Sequence, residues 1–246
     1  MGRNSTDAVK AKNSVCLIPW DTENHAQSQR LFDQRVACTW DYEVVEEWKG
    51  TVRKGTKLMY WIVLGEETEG RDTMMEAHLR QFPKEKEPLI DTATMMGNAP
   101  VTPTKRAFVP IGHIGMEVFP KLNEEFSLPS LTYWVKSLYI SGALQSGGLG
   151  RKAMHQIERT ASSTPFNCSV IALDTVSGAF QRSEESLKGF YDDRGLPRPE
   201  EVRTNEDWYL RQGYETMGMK EAAYMWTHPE TGDVVPIPCV YLKKDL

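Results

Sequence analysis

The stretch "LYISGALQSGGLGRKAM", residues 138–154, sets four glycines between an apolar run and a basic, helix-prone segment. Glycines in such a loop let backbone N–H groups close around an anion without side chains in the way. A helix that begins directly after them adds the positive end of its dipole. Three nucleotide-binding patterns overlap on this stretch, and the choice among them decides the fold.

"GALQSG" (142–147) fits the GxxxxG of a phosphate-binding loop, but Gly148 and Leu149 stand where that motif needs Lys and then Ser or Thr. That pattern is excluded. "GLGRKA" (148–153) fits the GxGxxA form of the dinucleotide fingerprint, with Asp174 near the position of a ribose-binding acid. In that fold the first glycine sits at the strand's end, whereas "SGALQSG" separates Ile140 from Gly148 here. Beyond Asp174 the chain supplies one helix and two closing strands rather than further βα units. A dinucleotide-binding oxidoreductase is the weaker alternative.

Outward from the loop, "LTYWVKSLYI" (131–140) and "CSVIALDTV" (168–176) predict strands on either side of a helix over about 149–162. Upstream, "VCLIPW" (15–20) predicts a first strand and "DTEN" a helix cap. Leu31, Phe32, Val36 and Trp40 at helical spacing predict an amphipathic helix, and a weaker helical piece follows at 41–49. "KLMYWIVL" (57–64) and "FVPIGHIGMEVFP" (108–120) predict strands, the latter adjacent and antiparallel to 131–140. Between them, 65–107 reads as a charged, proline-broken insertion with a helix at Met74–Phe82, a lid or a solvated excursion. A second insertion covers 177–204. A helix at 205–215 with Asn205 near its cap precedes two strands, near 216–227 and 234–244, joined by the turn "HPETGD".

A chain of 246 residues with 40% hydrophobic content predicts one elaborated domain over 14–246 behind a polar, disordered lead at 1–13. Formal net charge is −5 with the two signs interspersed, which argues against a nucleic-acid partner and suits a small cationic substrate. Cys16, Cys38, Cys168 and Cys239 lie far apart without a CxxC pair, predicting buried reduced thiols and no metal. No run approaches the ~18 apolar residues of a membrane span. These features predict a soluble, cytoplasmic protein with no membrane partner. "MGRNST" matches the myristoylation pattern, which many unmodified chains also match.

"QSGGLG" (145–150) matches the [QR]xxGx[GA] signature of motif A, and "WYLRQGY" (208–214) is similar to the FYxxxGF segment that follows it in the GNAT superfamily of acyl-CoA N-acetyltransferases. The resemblance runs from residue 15 onward. "GRKAMHQIERTA", "IALDTV" and "WYLRQGY" together resemble a fungal branch of the superfamily. It implies an α+β fold: a splayed, mostly antiparallel sheet of six or seven strands, about four flanking helices, and the two insertions. It also implies acetyl transfer from acetyl-CoA to a primary amine, here of a small molecule. A non-catalytic CoA-binding sensor or interaction module is the alternative. Dimers are common in the superfamily, so the resemblance allows a homodimer.

The resemblance carries over Gln145, Ser146, Gly147, Gly148, Leu149, Gly150 and Arg151 as the cradle of the CoA pyrophosphate, with Leu138 and Ile140 on the strand that presents the thioester. Tyr209 matches the tyrosine that protonates the departing thiolate. "FYDDRGL" (190–196) keeps Tyr191 as a competitor, but Tyr209 leads directly into the closing strands. Some members carry a glutamate on the strand before motif A, where this chain has Trp134. Asp174, in the middle of "LDT" (173–175), is the candidate base or amine-binding group. Glu117 and His113, on one face of their strand, stand second, and a water relay without a dedicated base stays open. Tyr60, Trp61, Tyr133 and Trp134 are expected mostly in the core.

Overall fold

The computed structural model describes residues 14–227 and 232–246. The expected lead at 1–13, with its "MGRNST" pattern, and residues 228–231 of the expected closing turn lie outside these. Seven strands form one sheet: β1 (Val15–Pro19), β2 (Lys57–Leu64), β3 (Gly112–Val118), β4 (Tyr133–Ile140), β5 (Val170–Val176), β6 (Glu215–Thr227) and β7 (Val234–Asp245). Their order is β1-β2-β3-β4-β5-β7-β6. The pairs β1–β2, β2–β3, β5–β7 and β6–β7 are antiparallel, and β4–β5 is parallel. The described residues also hold eight α-helices: α1 (His25–Cys38), α2 (Val45–Arg53), α3 (Arg71–Gln81), α4 (Pro120–Glu125), α5 (Leu149–Ser162), α6 (Gly178–Gln181), α7 (Glu184–Phe190) and α8 (Asn205–Leu210). None is long and apolar enough to cross a membrane.

The chain divides into two compact units, one reaching to Glu117 and including Ser137–Thr160, the other formed by Val118–Lys136 and Ala161–Leu246. In the first unit every residue of β2 is buried: Leu58–Leu64 is an apolar run, and Lys57 is ion-paired with Glu117. Trp20, Leu31, Trp48, Met59, Trp61 and Phe108 form a core cluster there. Helix α1 departs in part from the sequence expectation: Leu31 is buried as expected. Phe32 and Val36 are exposed, whereas Gln27, Arg30, Gln34 and Arg35 are buried. Hydrogen bonds account for the departure: Gln27 accepts from Trp61 Nε1 at 2.9 Å and donates to the Ile90 carbonyl at 2.8 Å. Arg30 donates to the Glu87 carbonyl at 2.8 Å.

Helix α2 starts at Val45, later than the expected 41–49, and Asp41 takes a left-handed φ of 54°. The 65–107 insertion is not a free excursion. It contains α3 and two short ladders, Leu89–Ile90 with Ala107–Phe108 and Met95–Met96 with Ala99–Pro100. Leu89 joins the core cluster, and the bonds from Gln27 and Arg30 tie this segment to α1.

In the second unit Trp134, Ala172 and Tyr241 form the core, with Phe119, Leu122 and Phe126 packed against it. Trp134 donates to Asn123 Oδ1 at 2.7 Å, which fixes the unexpected helix α4. The 177–204 insertion contains α6 and α7. Gly178 N–H donates to Glu206 Oε2 at 2.6 Å, holding the segment to α8. The cap of α8 is Thr204, whose Oγ1 accepts the Asp207 N–H at 3.1 Å, so Asn205 stands next to the cap as expected, but the helix ends at Leu210 and not at 215. Of the four cysteines, Cys168 and Cys239 are buried as expected, while Cys16 is exposed.

Candidate functional site

In the first unit the glycine loop begins where β4 ends. Ser137 takes a left-handed φ of 56° within β4, which breaks the regular alternation of its side chains. Tyr139 and Ile140 are consecutive and both buried, while Leu138 is partly exposed. Past the strand, Ser141 N–H donates to the Ile111 carbonyl at 2.8 Å, and Gly142–Leu144 form a single tight turn. Gln145 Nε2 donates to the Ile140 carbonyl at 3.2 Å, so the cradle's first side chain locks the loop to the strand end.

Gln145, Ser146, Gly147 and Gly148 are exposed, and Ser146 and Gly148 have left-handed φ values of 67° and 77°. Alternating handedness in such a turn directs successive N–H groups into one concavity. Leu149 then starts α5. It is 1% exposed and lines up with Ala153, Met154 and Ile157, which pin the helix by one face. The first intrahelical amide bond runs from Lys152 N–H to the Gly148 carbonyl, leaving the preceding turn of N–H groups at the helix end. Arg151 is exposed beside them. These groups suit an anion such as a pyrophosphate.

The second unit holds Asp174 and Tyr209. Asp174 lies on β5 opposite Tyr241 of β7. Its carboxylate is ion-paired with Lys136 Nζ and accepts the Tyr224 hydroxyl at 2.6 Å, and its side chain is 5% exposed. Lys136 also donates to the Tyr224 oxygen at 3.0 Å. Burial first, and then the Asp174 charge, pushes Cys239 and Tyr241 each up to about 12. The same causes in the same order raise Tyr224. The cluster therefore surrounds one carboxylate with groups that stay protonated at neutral pH. To act as a base, Asp174 must first release the ammonium of Lys136. To bind a cationic amine, it need only exchange one ammonium for another.

Tyr209 lies on α8, its ring edge-on to Trp208 at 4.8 Å and to Tyr214 at 5.7 Å. The residue is partly exposed, and burial and then the Asp174 charge raise its pKa above the ordinary 10.0. The phenol keeps its proton throughout the physiological range. Tyr191 closes the C-terminal end of α7 within the 177–204 insertion.

The second-rank candidates are engaged elsewhere. Glu117 accepts from Lys57 Nζ at 2.7 Å, and that ammonium sits 4.5 Å above the Trp48 ring. His113 is 1% exposed. Its Nδ1 lies 3.0 Å from Gln34 Oε1 and its Nε2 3.5 Å from Arg35, so Nδ1 carries the proton and the ring is neutral. Burial, reinforced by Arg35, holds its pKa well below 6.5. Trp134 is fully buried core. Among the described residues no group of His, Cys, Asp and Glu could hold a metal ion.

Sequence reasoning missed Lys136 and Tyr224. The signal for Lys136 was its isolation, a single charge inside "YWVKSLYI". Tyr224 carried no such mark, since β6 alternates its side chains irregularly about register shifts.

No family model matches the chain, and no curated protein matches it. Solved structures do. Arabidopsis thaliana NAA60 in complex with acetyl-CoA superposes with a TM-score of 0.52 at 10% identity, over 95% of this chain and 99% of that one. Its complex with a bisubstrate analogue gives the same values. A spermidine N-acetyltransferase SpeG chimera from Vibrio cholerae and hSSAT gives 0.50 at 9% identity, over 94% of this chain and 95% of that one. With its seven-stranded mixed sheet, its flanking helices and these likenesses, the chain has the GNAT fold.

Proposed function

We propose that the protein is an N-acetyltransferase that moves the acetyl group of acetyl-CoA to a primary amine of a small molecule. The observation that carries this is the exposed turn Gln145–Gly148 running into the N-terminus of the fourteen-residue α5, directly beyond β4. NAA60 with acetyl-CoA and the spermidine N-acetyltransferase chimera support the reading through the shared fold alone.

In this reading the amides of the loop and of the first turn of α5, with Arg151, hold the pyrophosphate. Backbone N–H groups of Leu138–Ile140 hold the thioester carbonyl. The amine nitrogen bonds to the acetyl carbon, the carbon–sulfur bond breaks, and the sulfur takes the Tyr209 proton. The proton shed by the amine goes to Asp174 or to water. One catalytic domain over 14–246, a cytoplasmic location and a homodimer belong to the same proposal. The fungal affinity rests on the three quoted segments.

Calorimetric titration tests the reading, with acetyl-CoA expected to bind and NADPH not. Absence of acetyl-CoA binding refutes it, and preferential NADPH binding restores the oxidoreductase alternative. The engagement of Asp174 by Lys136 favours a second reading, a CoA-binding module without turnover. Release of free CoA with a panel of amines separates the two.

A further inference from the structure

Ser141 is fully enclosed at the junction between β4 and the glycine loop. Its Oγ lies 2.8 Å from Nδ1 of His78 on α3, a ring that is itself 1% exposed. On the far side, His78 Nε2 lies 3.4 Å from Glu85 Oε2 without making a hydrogen bond. That carboxylate also accepts from Gln34 Nε2 at 2.8 Å and stands 3.6 Å from Arg30. The ring of Phe82 is tilted against His78 at 5.6 Å. One turn further along α3, Gln81 abuts Gly142, where an added Cβ would lie 3.2 Å from its amide nitrogen.

A serine, a histidine and a glutamate in sequence resemble a nucleophile and its base, but an enclosed hydroxyl reaches no substrate. The hydroxyl's bonds instead fix the strand-to-loop junction. Ser141 is held through its N–H by Ile111 and through its side chain by His78, and its carbonyl accepts the Leu144 N–H at 2.8 Å. The turn that sets where the anion loop starts therefore rests on α3.

We infer that His78 is a positioning residue for the anion loop, and that the 65–107 insertion is the rear support of that loop. The inference rests on the proposed function only in naming CoA as the ligand. A loop held in its bound shape loses less conformational entropy on binding than one that must be ordered. Loss of the Ser141–His78 contact should weaken CoA binding without removing any group that touches the ligand.

The test is calorimetry with CoA on the full chain and on Ser141→Ala, His78→Leu and His78→Gln, with amide exchange measured on each protein without ligand. Ser141→Ala and His78→Leu are expected to raise Kd about tenfold. They should also speed exchange over 141–150 while leaving 57–64 unchanged. His78→Gln, whose amide can still meet the Ser141 hydroxyl, is expected to restore most of both. Affinity within twofold of the parent in Ser141→Ala, or faster exchange spread evenly over 57–64 as well, overturns the inference. If His78→Leu does not fold, the other two variants decide. Failure of the parent chain to bind CoA refutes the functional reading instead. Exchange then still decides the support role, since unchanged rates over 141–150 overturn it.

Discussion

The Tyr224 hydroxyl donates to Asp174 Oδ2 at 2.6 Å while its oxygen accepts from Lys136 at 3.0 Å, so the three side chains close a triangle around one carboxylate. Asp174→Asn leaves the Lys136 ammonium, whose side chain is only 18% exposed, without its counter-charge. Breaking one side of a largely buried ion pair costs about 3 kcal/mol, and urea denaturation should read it. If Asp174 serves the amine by charge, the variant's acceptor KM rises while kcat stays within about threefold. A fall in kcat at unchanged KM would make Asp174 the base.

Tyr209→Phe removes one hydroxyl and keeps the ring contacts with Trp208 and Tyr214. As general acid its loss should lower kcat about 100-fold and leave both KM values in place. The phenol is raised above 10.0 by burial and by Asp174, so it stays protonated through neutral and mildly alkaline pH. The parent enzyme should therefore show no loss of kcat between pH 7 and about 9 from this group. Unchanged turnover in the variant would remove Tyr209 from the mechanism.

His113 gives an acid-side prediction. Burial and Arg35 depress its folded-state pKa below 6.5, so the folded chain keeps the ring neutral where the unfolded chain protonates it. The stability it contributes is complete above pH 6.5 and is lost as pH falls toward the depressed value. Below pH 6.5 the unfolded state binds up to one more proton, so the slope rises toward a limit of about 1.4 kcal/mol per pH unit. Denaturation series at pH 7, 6 and 5 should show the parent losing stability more steeply than His113→Gln, and more so between pH 6 and 5 than between pH 7 and 6. Parallel curves would show that His113 titrates normally.

Helix α5 was legible because its signal is local: Leu149, Ala153, Met154 and Ile157 repeat at helical spacing directly behind the glycines. The exposed turn ahead of it is equally local, since its glycines mark it directly in the sequence. On helix α1 Leu31 was read correctly but Phe32 and Val36 were not, because hydrophobic periodicity cannot register polar side chains that find buried partners far along the chain. Gln34 bonds Glu85 across 51 positions and His113 across 79. The same distance hid the support of the glycine loop, since His78 and Ser141 are 63 positions apart. Lys136 and Asp174 each follow the last rung of the β4–β5 ladder, Val135 opposite Leu173. Their pairing follows from that register, which nothing in either segment specifies alone.

Gly112 tests how closely the strand before the loop is approached. A Cβ at this position would lie 2.0 Å from the Tyr139 carbonyl oxygen and 3.1 Å from Ile140 Cα. The obstructing atoms are backbone, so no side-chain rotation relieves the overlap, and β3 or β4 must move. Gly112→Ala should therefore cost more than about 3 kcal/mol, at or above the usual upper range for overpacking. Because Tyr139 and Ile140 lead into Ser141, any variant that still folds should also bind CoA less tightly than a surface control such as Gly189→Ala, where nothing lies within 4 Å of an added Cβ. Thermal unfolding and the same CoA titration, run side by side, check both parts. Gly112→Ala with the parent's melting temperature would show that the two strands can part at that point at little cost.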